Sequence, residues 1–196
     1  MSAARQITES DIIPLERYAG LRAERRRAMA AIKRNRRIEL GPFVTFYFEN
    51  YDTMLHQVQE MLFIERGGAE QVPDELAAYN PLIPNGSELT ATVMIEIDDE
   101  LRRRRVLAEL GGIEEMFWLR VGGTQVMSRP EQDQERTNEQ GKTSSVHFLH
   151  FPFAPAQIEG FRKPGAEIVV GCSHPRYQHM AIMPEAVREA LARDFA

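Results

Sequence analysis

The residues best suited to chemistry lie close together near the end of the chain. Four of the five histidines and the single cysteine fall within residues 147–179, and they are His147, His150, Cys172, His174 and His179. Imidazole is the commonest metal ligand and the side chain that titrates nearest to neutral pH. The clustering therefore points to a site for a metal ion or for proton transfer, without naming a reaction.

A metal site would combine these histidines with a carboxylate from another element. His174 lies in the turn after one predicted strand and His179 on the next, and His147 or a helical Glu60 or Glu65 would add a third ligand. Two histidines and a carboxylate are a ligand set used by non-haem iron and by catalytic zinc. We therefore predict an Fe or Zn site from these five residues. The alternative is that the histidines are structural or handle protons.

The face that His147 occupies makes this prediction testable. Successive strand side chains point to opposite faces, so His147 shares a face with Leu149 and Phe151, while His150 lies on the other face. Both faces are rich in apolar residues, which predicts a central strand and a buried His147. A ligand His147 would lie within about 5 Å of another His nitrogen or a Glu oxygen. A structural His147 would instead bond to backbone or hydroxyl groups, with no carboxylate nearby.

The single cysteine limits the redox chemistry of the chain. One cysteine excludes an internal disulfide and an iron–sulfur cluster built from this chain alone, and it fits a reducing compartment. Cys172 alternates with Ile168 and Val170 along a predicted strand. This pattern favours a buried, inert thiol over a reactive one, because burial raises the pKa of a thiol.

A second candidate site would bind an anion. Lys142 is followed by Thr143, Ser144 and Ser145, which together offer an ammonium group and three hydroxyls at the entrance to a strand. With Arg36 and Arg37, these residues are candidates for binding a small anionic ligand or cofactor. The alternative is a loop closed by hydroxyl-to-backbone hydrogen bonds.

Charge is distributed unevenly along the chain. The net charge is −5, yet residues 1–37 contain ten Lys/Arg and four Asp/Glu. A basic N-terminal arm could contact an acidic partner, a second copy of the chain in a homo-oligomer, or its own acidic body. No aromatic residues interleave the arginines as stacking platforms would, so nucleic-acid binding is disfavoured. The absence of a long apolar run or signal sequence predicts no membrane span and a cytoplasmic location.

Hydrophobic periodicity predicts the elements that position these residues. Helices are predicted over about 8–35, 51–66, 73–78, 98–110, 155–161 and 184–195, and strands over 43–48, 88–97, 115–121, 124–128, 145–153, 166–172 and 177–183. A polar loop is predicted over 130–142. Regular βαβ alternation is absent, so we predict a single α+β domain over 1–196 with a largely antiparallel sheet and residues 1–37 as a basic helical arm.

Several segments together resemble a bacterial family of unknown function. They are Asn35-Arg36-Arg37, Gln57-Val58-Gln59-Glu60-Met61, Tyr79-Asn80-Pro81-Leu82-Ile83-Pro84, Lys142-Thr143-Ser144-Ser145-Val146-His147-Phe148 and His174-Pro175-Arg176-Tyr177. The resemblance spans nearly the whole chain, and it adds Tyr177 to the candidate cofactor-binding residues. Members of the family that this chain resembles are often encoded beside rubrerythrin-like proteins and heterodisulfide-reductase-like iron–sulfur proteins. By association, the resemblance implies a redox or metal-linked pathway. Family members commonly carry Arg at the position of His150, which weakens His150 as a ligand.

Two functions follow from these observations. The first is a metal-binding accessory protein or enzyme of a cytoplasmic redox pathway, using the five predicted ligands. The second is a non-catalytic protein that docks on an iron–sulfur oxidoreductase, or on a rubrerythrin-like partner, through its basic N-terminal helix. Charge complementarity of this second kind raises association rates and is weakened by salt.

Overall fold

In the computed structural model, described over residues 5–131, 137 and 141–196, two antiparallel β-sheets and surrounding helices make up the protein. The six α-helices of these residues are α1 (Leu15–Arg34), α2 (Tyr51–Glu65), α3 (Val72–Tyr79), α4 (Glu100–Glu109), α5 (Pro155–Arg162) and α6 (Glu185–Leu191). The nine strands are β1 (Arg37–Leu40), β2 (Val44–Glu49), β3 (Glu88–Ile95), β4 (Phe117–Val121), β5 (Thr124–Met127), β6 (Arg129–Pro130), β7 (Val146–Pro152), β8 (Ile168–His174) and β9 (Tyr177–Ile182). The prediction of a single-domain α+β fold is confirmed.

The first sheet has five strands in the order β1-β2-β3-β7-β6. Its central strand β3 pairs with both β2 and β7, so that Val93 lies opposite Phe46 on one side and His147 on the other. Burial alternates along β7, where His147, Leu149 and Phe151 are buried and the residues between them are partly exposed. This alternation confirms the predicted faces of the strand, with His147 pointing into the core.

The second sheet has four strands in the order β5-β4-β8-β9 and packs on the inner face of the first. The two sheets share one hydrophobic core, in which the rings of Phe46 and Phe117 meet edge to face with centroids 5.3 Å apart. Cys172 points into this core and is buried, as predicted. Desolvation raises the pKa of its thiol to about 11, which keeps it in the unreactive protonated form near neutral pH.

Helices cover the other face of the first sheet. Met54, Val58 and Leu62 recur at helical spacing on α2 and form a second apolar cluster, against which Phe148 of β7 packs. α2 is capped by Asn50, whose side chain accepts a hydrogen bond from the backbone N–H of Thr53. α1 packs on α2.

The structure also corrects two sequence-based boundaries. α1 begins at Leu15 after Pro14, because Thr8 caps a separate 3₁₀ turn over Glu9–Asp11. β1 was not predicted as a strand, and it pairs with β2 through the turn at Gly41. Most of the predicted polar loop over 130–142 lies outside the described residues.

None of the helices in the described ranges is both long and apolar enough to cross a membrane.

Candidate functional site

The five predicted metal ligands lie on separate elements. Glu60 and Glu65 are on α2, His147 is on β7 of the first sheet, and His174 and His179 are on β8 and β9 of the second. Across the part of the chain that the structure describes, no three His, Cys, Asp or Glu side chains lie together in a way that could hold a metal ion. The predicted ligand set therefore does not form one site in this arrangement, and metal binding itself stays a prediction.

Glu60 attaches α1 to α2. Its carboxylate accepts two hydrogen bonds from Arg22, from Nε and Nη2, each of 2.9 Å, and one of 2.7 Å from the hydroxyl of Tyr18. The Arg22 guanidinium also stacks over the ring of Phe63, 4.7 Å from its centroid. These partners, Arg22 first, lower the pKa of Glu60 to about 2. The carboxylate is partly buried, and both of its oxygens are engaged in positioning α1.

Glu65, the other predicted carboxylate ligand, is exposed at the end of α2. Its Oε2 accepts a hydrogen bond of 2.6 Å from the side chain of Gln71 in the following turn. The last buried residue of α2 is Leu62, so the end of the helix is more exposed than the turns before it.

His147 lies in a buried polar cluster with a carboxylate that the sequence did not reveal. Its side chain is fully buried, and Nε2 contacts the carbonyl of Ser144 at 2.8 Å and the hydroxyl of Thr143 at 3.3 Å. Its Nδ1 lies 3.9 Å from a carboxylate oxygen of Glu114. Glu114 in turn accepts hydrogen bonds from the hydroxyls of Thr137, at 2.8 Å, and Thr143, at 3.3 Å.

This cluster combines features of both alternatives for His147. The backbone and hydroxyl contacts are those of a structural histidine, whereas the nearby Glu114 oxygen lies within the range set for a ligand. Burial isolates the Glu114–Thr143–His147 cluster from solvent, since their side chains are at most about a tenth exposed. The arrangement ties the turn after α4 to the start of β7. It offers a carboxylate and an imidazole to one site, which is one ligand short of the predicted set.

His174, His179 and Tyr177 have mainly structural contacts. The Nδ1 of His174 accepts a hydrogen bond from the backbone N–H of Arg176 at 3.2 Å, and its Nε2 lies 3.3 Å from the carbonyl of Gly111. The ring of His179 packs on that of Tyr177, with centroids 4.4 Å apart. The Tyr177 hydroxyl donates to the carbonyl of Leu40, and burial raises the pKa of Tyr177 to about 12.

The predicted cofactor-binding residues are likewise distributed over the molecule. Arg36 is buried and forms an ion pair with Asp194, so its guanidinium is engaged within the fold, and its role in ligand binding stays a prediction. Arg37 is exposed on β1 and donates to Glu39, whereas Tyr177 is enclosed in the core. Lys142 and Ser144 precede β7, where the Ser144 hydroxyl accepts from the backbone N–H of Val146 at 3.1 Å. That bond matches the loop-closing alternative for this segment.

His150 lies between two carboxylates. Its Nδ1 is 3.2 Å from Glu88 at the start of β3, and its Nε2 is 2.9 Å from Glu131 just after β6. The pKa of His150 is raised, and the largest cause is its hydrogen bond to Glu88. Burial lowers the pKa, but the hydrogen bonds to Glu88 and Glu131 together outweigh this effect. The two partners approach opposite sides of the ring, an arrangement suited to a protonated imidazolium and not to a metal ion.

The largest basic surface belongs to α1. This helix contains seven Lys/Arg and two Glu, and only Tyr18 and Met29 are buried. An exposed row of Gly20, Ala23, Arg27, Ala30 and Arg34 recurs every three or four residues along its outer side. Within the described residues, Arg22 is the one cation of α1 that forms an ion pair. The other six cations therefore face solvent or the helix rim without a carboxylate partner.

A second run of arginines, Arg102–Arg105, lies on α4 and was missed as a candidate. On α4, acidic and carbonyl groups balance more of the positive charge than on α1. Arg104 pairs with Glu100 across one helical turn, and Arg103 donates to the carbonyl of Ile97 at the start of the segment. Acidic residues at 98–100 and Glu109 flank the run. α4 is therefore a useful reference surface for testing α1.

Sequence reasoning missed Glu114 and the two partners of His150 for a physical reason. Glu114 follows the Gly111-Gly112 turn, and Glu88 and Glu131 are separated from His150 by 62 and 19 residues. Strand pairing brings Glu88 and Glu131 to His150, through the registers of β3 with β7 and of β6 with β7. The one available signal was the alternation in β7, which places His150 on the face opposite His147.

Comparison with known proteins agrees with the fold. A family model described as "Protein of unknown function (DUF3501)" matches residues 6–195. A crystal structure described as a novel protein of unknown function from Burkholderia pseudomallei K96243 is 36% identical in sequence and superimposes with a TM-score of 0.90. The match covers 97% of this chain and 100% of that chain. No curated protein matches the chain. The chain therefore belongs to the DUF3501 family of proteins of unknown function.

Proposed function

We propose that this protein is a non-catalytic accessory protein of a cytoplasmic redox pathway that docks on an acidic partner through α1. The partner we propose is an iron–sulfur oxidoreductase or a rubrerythrin-like protein. The single observation that carries the proposal is the exposure of α1. None of its seven cations is buried, and within the described residues Arg22 is the one that forms an ion pair. The redox pathway and the class of partner rest on the resemblance drawn from the sequence.

The way α1 is attached supports a docking role. One edge of the helix is fixed by Tyr18, Met29 and the Arg22–Glu60 ion pair, while the opposite side makes no apolar contact with the core clusters. A helix needs an apolar stripe to be stabilised by packing, and α1 has a narrow one. A rigidly positioned helix that presents unpaired cations is suited to recognising a complementary acidic surface.

The charge of the rest of the molecule supports the same proposal. Residues outside the N-terminal 37 carry a surplus of acidic groups, as the net charge of −5 and the ten Lys/Arg against four Asp/Glu of residues 1–37 require. An acidic partner would be repelled by most of the surface and attracted by α1. This asymmetry would orient the complex and raise its association rate.

Co-purification from cells in which an iron–sulfur oxidoreductase is encoded beside this protein tests the proposal. We expect the tagged wild-type protein to retain the oxidoreductase at low salt and to lose it at high salt. The variant Arg25→Glu, Arg26→Glu, Arg27→Glu should lose it at both salt concentrations. The matched control reverses Arg102, Arg104 and Arg105 of α4, which makes the same change in net charge on a different helix. Equal retention by both variants would remove α1 as the docking surface.

Metal binding is the second candidate function, and the observation that favours it is the Glu114–His147 pair. These two side chains approach within 3.9 Å, and both are ligand types used by iron and zinc. Elemental analysis of untagged protein purified without chelator tests this function directly. We expect the wild-type protein to contain about one equivalent of a transition metal. The His147→Leu variant should contain less. Less than about a tenth of an equivalent, with no anaerobic uptake, would remove this candidate.

A further inference from the structure

A cavity of about 530 Å³ lies between the end of α1, the start of α2 and the residues that follow α6. Its volume falls within the range of sites for small molecules. The cavity is separate from the exposed row of α1 and from the Glu114–His147 cluster. It is the place where Arg5, Arg36 and Arg193 meet, three cations that are far apart in the sequence.

One of these arginines is part of the wall and is already satisfied. The buried Arg36 donates to the carbonyls of Phe48 and Glu49, at 2.9 and 2.8 Å, and forms an ion pair with Asp194. Burial raises the pKa of Asp194, and Arg36 opposes this effect. The pair is neutral in sum and fixes the C-terminal residues against β2. It therefore forms a rigid floor to the cavity without a surplus of charge.

The remaining groups give the cavity a surplus of hydrogen-bond donors. Arg193 is exposed and forms neither a hydrogen bond nor an ion pair with any other described residue. Arg5 donates from Nη1 alone, to the carbonyl of Pro84 at 2.6 Å and more weakly to that of Asp194, which leaves Nε and Nη2. The Oδ1 of Asn50 accepts from Thr53, so its amide N–H groups are also available.

One acidic group opposes this surplus. Asp52 lines the cavity and is exposed in the first turn of α2. Two cations, Arg5 and Arg193, stand against this single carboxylate once the neutral Arg36–Asp194 pair is set aside. The cavity is thus positive by one charge and rich in donors. A ligand that complements it must supply negative charge and acceptor oxygens.

The remainder of the wall is apolar. Ile32 from the last turns of α1 and Ile83 and Pro84 from the segment before β3 contribute hydrocarbon surface. Ile32 is 38% exposed. A short aliphatic group of a ligand would cover it and remove that surface from water.

We propose that this cavity binds a small organic anion, in which a carboxylate or phosphate group contacts Arg193 and Arg5 and a short aliphatic group contacts Ile32. The two headgroups share the same chemistry, a compact anion with several acceptor oxygens. The site goes beyond the docking function of α1 and does not depend on it. A ligand bound here would bridge α1, α2 and the C-terminal residues.

Titration monitored by two-dimensional amide NMR tests this proposal. The probes are butyrate, propyl phosphate and inorganic phosphate, each compared with chloride at equal ionic strength. We expect saturable shifts at residues around the cavity with both organic anions, and weaker binding of inorganic phosphate, which lacks the aliphatic group. The tighter of the two organic anions identifies the headgroup. Equal affinities for inorganic phosphate and propyl phosphate would overturn the proposed contact between the aliphatic group and Ile32.

Three variants locate the site. Arg193→Ala should weaken binding on the order of tenfold, equivalent to about 1.4 kcal/mol, because it removes a cation that contacts the anionic group. Asp52→Asn should tighten binding by removing the opposing charge. Arg17→Ala, an exposed cation at the other end of α1, should leave affinity unchanged. Linear, non-saturating shifts with every anion, or equal effects of Arg193→Ala and Arg17→Ala, would overturn the proposal.

Discussion

The Arg22 guanidinium and the Glu60 carboxylate form a two-pronged ion pair, with Nε to Oε1 and Nη2 to Oε2 both at 2.9 Å. Their side chains are 29% and 14% exposed, so the pair is partly withdrawn from water. The Tyr18 hydroxyl completes the set at 2.7 Å. This pair, with Met29 further along, determines where the exposed cations of α1 point. The proposed docking surface therefore depends on a carboxylate that the sequence had suggested as a metal ligand.

Replacing Glu60 with Gln should weaken the attachment of α1. The substitution keeps the shape of the side chain but removes its charge, and it leaves Arg22 and Tyr18 with a poorer acceptor. We expect the free energy of unfolding to fall by roughly 1.5–3 kcal/mol, the range for a hydrogen bond to a charged group. Urea denaturation at neutral pH measures this loss.

The matched control is Glu65→Gln, the same change on an exposed residue of the same helix. It should lie within about 0.5 kcal/mol of wild type. The pH dependence adds a second check, because the pKa of Glu60 is lowered to about 2. Its contribution is present above the unfolded pKa and is lost as pH falls toward 2. A Glu60→Gln variant that loses as much stability in acid as the wild type would contradict this role.

His150 should make the stability of the protein depend on pH in the opposite direction. Glu88 and Glu131 raise its pKa, so its contribution is fully present below the unfolded pKa of about 6.5 and is lost as pH rises through the folded value. His150→Arg keeps a cation between the two carboxylates and should remove this loss. His150→Gln should lower stability at pH 5 and bring it close to the wild type at pH 9.

Denaturant unfolding of the three proteins between about pH 5 and pH 9 provides the measurement. Identical pH profiles for the wild type and His150→Arg would show that the imidazolium contributes nothing to folding.

His147 should be required for stability whether or not a metal binds. His147→Leu preserves much of the buried volume but removes the partner of the Ser144 carbonyl and leaves Glu114 without its imidazole neighbour. We expect a loss of roughly 1–3 kcal/mol, the cost of an unsatisfied buried group. Thermal unfolding with and without chelator separates the two roles. An equal loss in both conditions indicates a structural imidazole, whereas a loss confined to chelator-free protein indicates a metal ligand.

The fold was largely predictable from the sequence, while the side-chain partners were not. Aromatic and β-branched runs such as 43–48 and the alternation in 145–153 correspond to β2 and β7, because these patterns report local burial. The strand β1 was missed since Arg37 and Glu39 alternate with only two apolar residues. Its pairing depends on the turn at Gly41, where the backbone is left-handed and a Cβ would lie 2.6 Å from the Tyr177 hydroxyl.

The candidate residues were harder to interpret because their environments are set by distant parts of the chain. The sequence placed His147 correctly in the core but could not reveal Glu114, which approaches it from the turn between α4 and β4. Arg36 belongs to the same basic run as Arg34 and Arg37, yet it is buried by Asp194, 158 residues away. Periodicity reports which face a residue occupies, whereas the partner on that face depends on topology.

The affinity of the purified protein for the purified neighbouring iron–sulfur oxidoreductase tests the central claim most directly. Isothermal titration at about 50 mM salt should give saturable binding that weakens steeply at about 500 mM, as screening requires. Reversing Arg25, Arg26 and Arg27 should raise Kd at least about tenfold, whereas reversing Arg102, Arg104 and Arg105 should change it by less than about threefold. Equal effects of the two reversals, or binding that neither reversal alters, would contradict the claim that α1 is the docking surface.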